Sequence, residues 1–256
     1  MMYVVIFLFG LIFGSFLNAV IYRLHVGESW VHGRSKCVKC KKVLGTWDLI
    51  PILSWLYLRG RCRYCQKKIS WQYPLVELAT AVAFVAAYSV AGVELGLAQA
   101  WLQAVTWMIY ALFLIIIFVF DWKYYLILDA VIYPAAVMAF ILNLFLGVSW
   151  SSMLLAAIIG AGFFWLQYIL SRGTWIGAGD IRLGGLMGLM LGWPGILVAL
   201  FIAYVVGSIV GIILIIAGRK KWGQQIPFGT FLSLATFVIL LYGQPILQWY
   251  LNYLGI

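Results

Sequence analysis

Long apolar runs recur along the chain, separated by short polar or basic stretches. The chain is 66% hydrophobic and only 9% charged, whereas soluble domains carry about 25% charged residues. An apolar run of about 20 residues can cross a bilayer as a helix. The runs predict eight spans, at residues 1–22, 74–91, 101–120, 129–147, 151–170, 181–192, 195–217 and 227–242. The sequence therefore predicts an all-α polytopic membrane protein.

The basic residues indicate how such a protein is oriented. Eleven of the 17 Lys and Arg lie between Arg23 and Lys68, and none lies inside a long apolar run. With eight crossings and both termini outside, all 17 fall on the cytoplasmic side, as the positive-inside rule requires. The short run 181–192 is interpreted as a full span, because a re-entrant segment would move Arg219–Lys221 to the other side. The net charge of +10 thus reflects orientation in a lipid bilayer, and no nucleic-acid partner is expected.

The first run contains a pair of small residues with helical spacing. Gly10 and Gly14 would allow close contact with another helix, and the polar Asn18 should face protein rather than lipid. Helix packing alone accounts for these residues as well as any functional role does.

The segment 23–73 differs from the rest of the chain because it is polar, basic and contains all four cysteines. Cys37, Cys40, Cys62 and Cys65 form two Cys-x-x-Cys pairs, the spacing typical of zinc sites. Four protein ligands leave no position for a reacting water, which favours a structural ion; redox chemistry and free thiols are the alternatives. We therefore predict three parts: a first membrane helix (1–22), a cytoplasmic zinc-binding loop domain (23–73) and a membrane core (74–256).

Two of the seven acidic residues border long apolar runs at the same predicted membrane face. Asp121 ends the third span, and Asp180 follows Gly177-Ala178-Gly179 at the start of the sixth. Two carboxyl groups brought close share one proton, so one can activate a water while the other donates a proton. The flanking glycines, Gly177 and Gly179, indicate a close approach of backbone to substrate or to another helix. This pattern favours an aspartic protease.

Several alternatives to this interpretation stay open at the level of the residues. Asp121 and Asp180 could be membrane-boundary charges paired with Lys123 and Arg182. Asp129 could replace Asp121 as the first carboxylate, or cap the helix that follows it. A transporter or channel would use the aspartates as ion or proton sites. That function predicts ionisable residues near the middle of the membrane, whereas Asp121 and Asp180 border one face. A methyltransferase with a membrane anchor is another alternative function.

Several motifs resemble those of the type IV prepilin peptidases over nearly the full length of the chain. The matching stretches are residues 14–24, the two cysteine pairs, 49–54, 60–63, 73–77, Asp121 with Asp129, Gly177–Asp180 and Ile226–Gly229. Three positions depart from the family pattern. Val38 and Thr230 stand where proline is usual, and Arg182 stands where lysine is common.

The resemblance implies an activity, a location and cofactors. The activity is removal of the short basic leader of prepilins or pseudopilins at the cytoplasmic face of the bacterial inner membrane. Many members also methylate the new N-terminus with S-adenosylmethionine. No residue that binds this methyl donor can be assigned from the sequence. The resemblance implies Asp121 and Asp180 as the catalytic pair, with Asp129, Gly177, Gly179 and Arg182 in secondary, substrate-positioning roles. The sequence indicates neither an oligomeric state nor the pilus or secretion system that is served.

Overall fold

The computed structural model describes residues 1–29, 32–93, 97–221 and 223–254. Within these ranges the secondary structure is helical, apart from two isolated β-bridges. The helices are α1 (Met2–Val26), the 3-10 helix η1 (Thr46–Leu49), α2 (Leu53–Tyr57), α3 (Gln72–Val90), α4 (Ala98–Tyr124), α5 (Asp129–Phe145), α6 (Trp150–Leu170), α7 (Ala178–Leu191), α8 (Gly195–Ile216) and α9 (Phe228–Leu254). The all-α prediction is confirmed.

Helices occupy all eight positions at which spans were predicted. Six of them are long and apolar enough to cross a membrane: α1, α3, α4, α6, α8 and residues Phe228–Tyr250 of α9. The other two are shorter, with 17 residues in α5 and 14 in α7, where a crossing takes about 20. Trp193-Pro194, between the predicted spans 181–192 and 195–217, separates α7 from α8. Eight crossings therefore stay a prediction.

The chain divides into two compact units, Met1–Leu112 and Phe113–Ile256, at a point within α4. The boundaries predicted from composition were residues 22 and 73. The division by packing places the cysteine loop in one unit with α1 and α3, and the three predicted parts stay a prediction.

Two glycines of α1 set the packing of the first unit. A Cβ added at Gly10 would lie 2.4 Å from the Cα of Ala81, and one at Gly14 would lie 2.5 Å from the Cα of Glu77. Both neighbours are backbone atoms of α3, so larger residues would force the two helices apart. Asn18 is buried and its side-chain amide donates to the carbonyl of Tyr73, 3.0 Å away. The predictions of close packing and of a protein-facing Asn18 are confirmed.

In the second unit, α6 and α7 approach each other closely through small residues. A Cβ at Gly184 would lie 2.5 Å from the carbonyl oxygen of Gly160, and one at Gly188 would lie 2.3 Å from the carbonyl oxygen of Ala156. The far end of α7 is held by Asn143 of α5, whose side-chain amide donates to the carbonyl of Leu189 at 2.7 Å. These contacts fix α7, and with it the position of Asp180.

Candidate active site and metal centre

Asp180 lies in the first turn of α7, in a reciprocally hydrogen-bonded turn. Its carboxylate accepts the N–H of Gly177 at 3.2 Å, and its own N–H donates to the carbonyl of Gly177 at 3.1 Å. The residue is buried. A negative group at a helix N-terminus is favourable, because the unpaired N–H groups carry partial positive charge. The turn thus holds a carboxylate that membrane surroundings alone would disfavour.

Asp121 lies in the last turn of α4 and is also buried. Its Oδ2 accepts the backbone N–H of Thr230 at 2.9 Å, and a Cβ added at Gly229 would lie 3.0 Å from the same oxygen. Both residues belong to the first turn of α9, where helical N–H groups have no partner within the helix. The start of the last helix therefore fixes the orientation of this carboxylate.

The two aspartates are brought together through Ile127. Its side chain lies 2.9 Å from the position of a Cβ on Gly179, next to Asp180, and 3.2 Å from that of a Cβ on Gly229, next to Asp121. The site thus combines the end of α4 with the beginnings of α7 and α9, all within the second unit.

The predicted alternative of boundary ion pairs is not what the geometry shows. The ion pairs found among the described residues are Arg63 with Asp48 and Arg182 with Asp129. Neither includes Asp121 or Asp180. Asp129 is half-exposed in the first turn of α5, and its carboxylate accepts the guanidinium of Arg182 from α7. Asp129 is therefore engaged with a basic partner, whereas the other two aspartates bind backbone N–H groups.

The two glycines of the Gly-x-Gly-Asp motif differ in their surroundings. Gly179 is closely packed against Ile127, so a side chain there would displace it. A Cβ at Gly177 would lie 3.7 Å from the Asp180 Oδ2 and 3.9 Å from the backbone nitrogen of Gly179, which are ordinary contacts. The close approach between protein elements is thus found at Gly179 alone, and an approach of substrate to Gly177 stays a prediction.

No role in the site was predicted for Ile127, Gly229 or Thr230. Gly229 was part of a motif that carried the family resemblance, and Thr230 was noted only as a departure from the pattern. These residues act through the backbone or through an apolar side chain. Neither can be recognised in a sequence as part of a reactive site.

The four cysteines form a compact cluster in the first unit. Their Sγ atoms all lie within 4.8 Å of one another, and the Sγ atoms of Cys37 and Cys65 are 3.9 Å apart. A disulfide would need about 2.05 Å. Zn–S bonds of about 2.3 Å in a tetrahedron place neighbouring sulfurs roughly 3.8 Å apart. The cluster therefore fits a metal ion with four sulfur ligands.

Each cysteine pair stands in a turn of the same design. The N–H of Cys37 donates to the carbonyl of Lys42 at 2.9 Å, and the N–H of Cys62 donates to that of Lys67 at 3.0 Å. Lys41 and Gln66, each four residues after the first cysteine of its pair, both have positive φ angles, 60° and 56°. Two equivalent turns thus face each other with two sulfurs each.

Comparison with known proteins gives the family. The chain matches the Bacterial Peptidase A24 N-terminal domain at residues 8–91 and the Type IV leader peptidase family at residues 108–212. The "Prepilin leader peptidase/N-methyltransferase" of Aeromonas hydrophila is 35% identical, over 96% of this chain and 93% of that protein. The chain belongs to the type IV leader peptidase family. Proteins of the same name from Bacillus subtilis (strain 168) and Pseudomonas aeruginosa are 32% and 30% identical, each over 97% of this chain.

The two matching regions contain different sets of candidate site residues. The first includes all four cysteines, and the second includes Asp121, Asp129 and Asp180. No solved structure matches the chain. Membership of a peptidase family, together with aspartates at helix ends rather than at helix centres, argues against the transporter alternative.

Removing one cysteine tests the metal centre of this leader peptidase. We expect Cys62→Ser to lower zinc affinity by more than about 100-fold, because losing a group that only hydrogen-bonds a ligand already costs about 10–100-fold. Zinc bound per purified chain, measured by mass spectrometry after dialysis, checks this. Tyr64→Phe, in the same turn, is the matched control and should keep its zinc. Equal zinc content in the two variants would contradict a four-sulfur site.

Proposed function

We propose that this protein is an aspartic endopeptidase that removes the leader of prepilins or pseudopilins, with Asp121 and Asp180 as the catalytic pair. The observation that carries the proposal is the pair itself. Two buried carboxylates from different helices are held by backbone N–H groups, and neither takes part in an ion pair among the described residues. Two buried carboxyl groups whose neighbouring glycines both pack on Ile127 suit the division of acid and base roles.

The proposed reaction needs no nucleophilic side chain. One carboxylate takes a proton from a water molecule as the water oxygen attacks the scissile carbonyl. The other carboxyl group, protonated, donates to the carbonyl oxygen and later supports protonation of the leaving amine. The C–N bond then breaks, releasing the leader with a new carboxylate and the mature protein with a new amine. The hydrogen bonds from Gly177 and from Thr230 keep the two groups in place during these steps.

The proposed location follows from the ends of the helices that carry the aspartates. Asp121 is in the last turn of α4 and Asp180 in the first turn of α7. The distribution of basic residues supports a location of this end at the cytoplasmic face of the bacterial inner membrane. A substrate whose apolar helix lies in the bilayer would present a bond at the boundary of that helix to this face. Extended backbone at this depth needs surrounding protein or water.

The remaining residues of the motifs have supporting roles in this proposal. The ion pair of Arg182 with Asp129 links the start of α7 to the start of α5. Gly179 allows Ile127 to pack beside Asp180, and Gly177 leaves room for substrate backbone. These four residues would position substrate or helices rather than react.

The second proposed activity is methylation of the new N-terminal amine. The methyl donor would be S-adenosylmethionine, since the relatives named above carry a peptidase/N-methyltransferase name. The four cysteines would hold a structural Zn²⁺ that shapes the loop between α1 and α3. With four sulfur ligands, the ion has no position for substrate.

The test is to incubate the purified protein in detergent with a prepilin and S-adenosylmethionine. We expect mass spectrometry to find the free leader, and a mature chain that is heavier by one methyl group when the donor is present. Cleavage without methylation would confine the function to the peptidase. An intact prepilin, with an enzyme that shows a cooperative thermal transition, would contradict the proposal.

A further inference from the structure

The helix α2 and the neighbouring η1 carry apolar side chains that no other part of the described chain covers. The exposed fraction is 75% for Trp47, 64% for Leu53, 58% for Leu56 and 81% for Tyr57. We call these four residues the α2 patch. They lie in the polar loop between α1 and α3, outside the six helices that are long enough to cross a membrane. Leu53, Leu56 and Tyr57 have the i, i+3, i+4 spacing that puts side chains on one helix face, and an exposed apolar face marks a site of contact.

Two contacts fix the α2 patch at the level where α3 enters the membrane. The N–H of Ile52, just before α2, donates to the Glu77 carboxylate at 2.7 Å. The ring of Trp55 lies 4.2 Å from that of Trp71, the residue before α3. Glu77 stands about 8 Å along α3 from its first residue, at 1.5 Å per residue. Because α3 is one of the candidate spans and has only 19 residues, α2 lies beside a part of α3 that belongs to the span.

The contact with Glu77 also holds an unusual backbone conformation. Ile52 has a φ angle of 59°, which is rare for a β-branched residue. The buried carboxylate that accepts its N–H therefore stabilises a turn that Ile52 would not adopt freely. The position of α2 along α3 is thus fixed by the hydrogen bond from Ile52 to Glu77.

The charge around the α2 patch indicates which surface it meets. The eleven basic residues between Arg23 and Lys68 outnumber the two acidic ones, Glu28 and Asp48. Asp48 is further neutralised by Arg63, at 2.7 Å. Near a membrane, each basic residue adds to the attraction to anionic lipids. A cationic peptide would be repelled by the same charges.

We propose that the α2 patch inserts into the headgroup region of an anionic leaflet, so that α2 is an interfacial helix. Trp and Tyr favour the boundary between headgroups and acyl chains, and Leu53 and Leu56 would reach the first part of the chains. Such helices bury their apolar face about 5–10 Å into this boundary. Insertion would hold the cysteine loop flat against the membrane. The proposal does not depend on the peptidase function.

A spin label at Tyr57 tests the insertion in the full-length protein. The label is attached through a genetically encoded azide amino acid, which spares the four cysteines, and the protein is placed in nanodiscs of phosphatidylcholine and phosphatidylglycerol. Tyr64, also exposed but in the second cysteine turn, carries the label in the matched control. We expect the ratio of oxygen to nickel-chelate accessibility to be several-fold higher at position 57 than at position 64. Nanodiscs without phosphatidylglycerol should reduce this difference.

Equal accessibility of the two labels would overturn the proposal, since the α2 patch would then be no deeper than the rest of the loop. Shielding of position 57 only after a prepilin is added would also overturn it and assign the α2 patch to a protein partner. Each labelled protein must keep the thermal midpoint of the unlabelled one. If the label at Tyr57 lowers that midpoint, the label at Leu56 serves for the same measurement.

Discussion

Asp180→Asn and Asp121→Asn are each expected to lower the rate of prepilin cleavage by about 10²–10⁴-fold, the usual contribution of a general acid or base. Asparagine keeps the shape of the side chain and can still accept the N–H of Gly177 or Thr230, but it cannot exchange a proton. The double variant should be no slower than either single one, because the two carboxyl groups act as a unit. Initial rates of leader release by the purified variants measure these effects.

Asp129→Asn is the matched control for this series. Its ion pair with Arg182 is partly exposed and is worth about 0–1 kcal/mol, so cleavage should change by less than about fivefold. Loss of cleavage with Asp129→Asn but not with Asp121→Asn would move the first catalytic carboxylate to α5. Full activity in all three single variants would exclude an aspartic mechanism. Thermal midpoints equal to that of the wild type are required of each variant.

Gly184→Ala is expected to destabilise the second unit by about 1–3 kcal/mol or more, the range for overpacking a close contact. The new methyl group would lie 2.5 Å from the carbonyl oxygen of Gly160 and 2.6 Å from a ring carbon of Phe164. Since the first of these atoms is backbone, α6 and α7 would have to separate. Cleavage should fall as well, because the movement of α7 displaces Asp180. The thermal midpoint in detergent and the cleavage rate check both effects.

Gly185→Ala is the control for this prediction, on the next residue of the same helix. Its methyl group would meet only the Cβ of Ala161, at 3.7 Å. Replacing a helical glycine by alanine is otherwise favourable by up to about 1 kcal/mol, so this variant should be as stable as the wild type or more stable. Equal loss of stability in the two variants would show that helix propensity or lipid contact, rather than the approach of α6 to α7, decides the outcome.

The fold was predictable from sequence as far as helix positions, because apolar periodicity and length suffice to place membrane helices. Gly10 and Gly14 also allowed the contact of α1 with another helix to be predicted. Their partner α3 was not, since a small-residue pair gives no information about what it meets. The end of the first helix was placed at Tyr22, but α1 continues to Val26, because a basic residue such as Arg23 does not end a helix.

In the candidate site, the carboxylates and the cysteines could be singled out because few other residues in such a chain can do chemistry. The choice between Asp121 and Asp129 could not be made from spacing. The pairing of Asp129 with Arg182, which supports the proposal of Asp121, follows from the packing of α5 beside α7. The backbone donor to Asp121 was not predictable either, since every residue except proline offers an N–H group.

The bond from Thr230 to Asp121 joins residues that are 109 positions apart, and this has a consequence for how the protein is made. Chains fold from the N-terminus as they are synthesised. Until the start of α9 has been synthesised, the Asp121 carboxylate lacks its donor from Thr230, even though α4 is already complete. The candidate site is therefore completed later than the helix that carries its first aspartate.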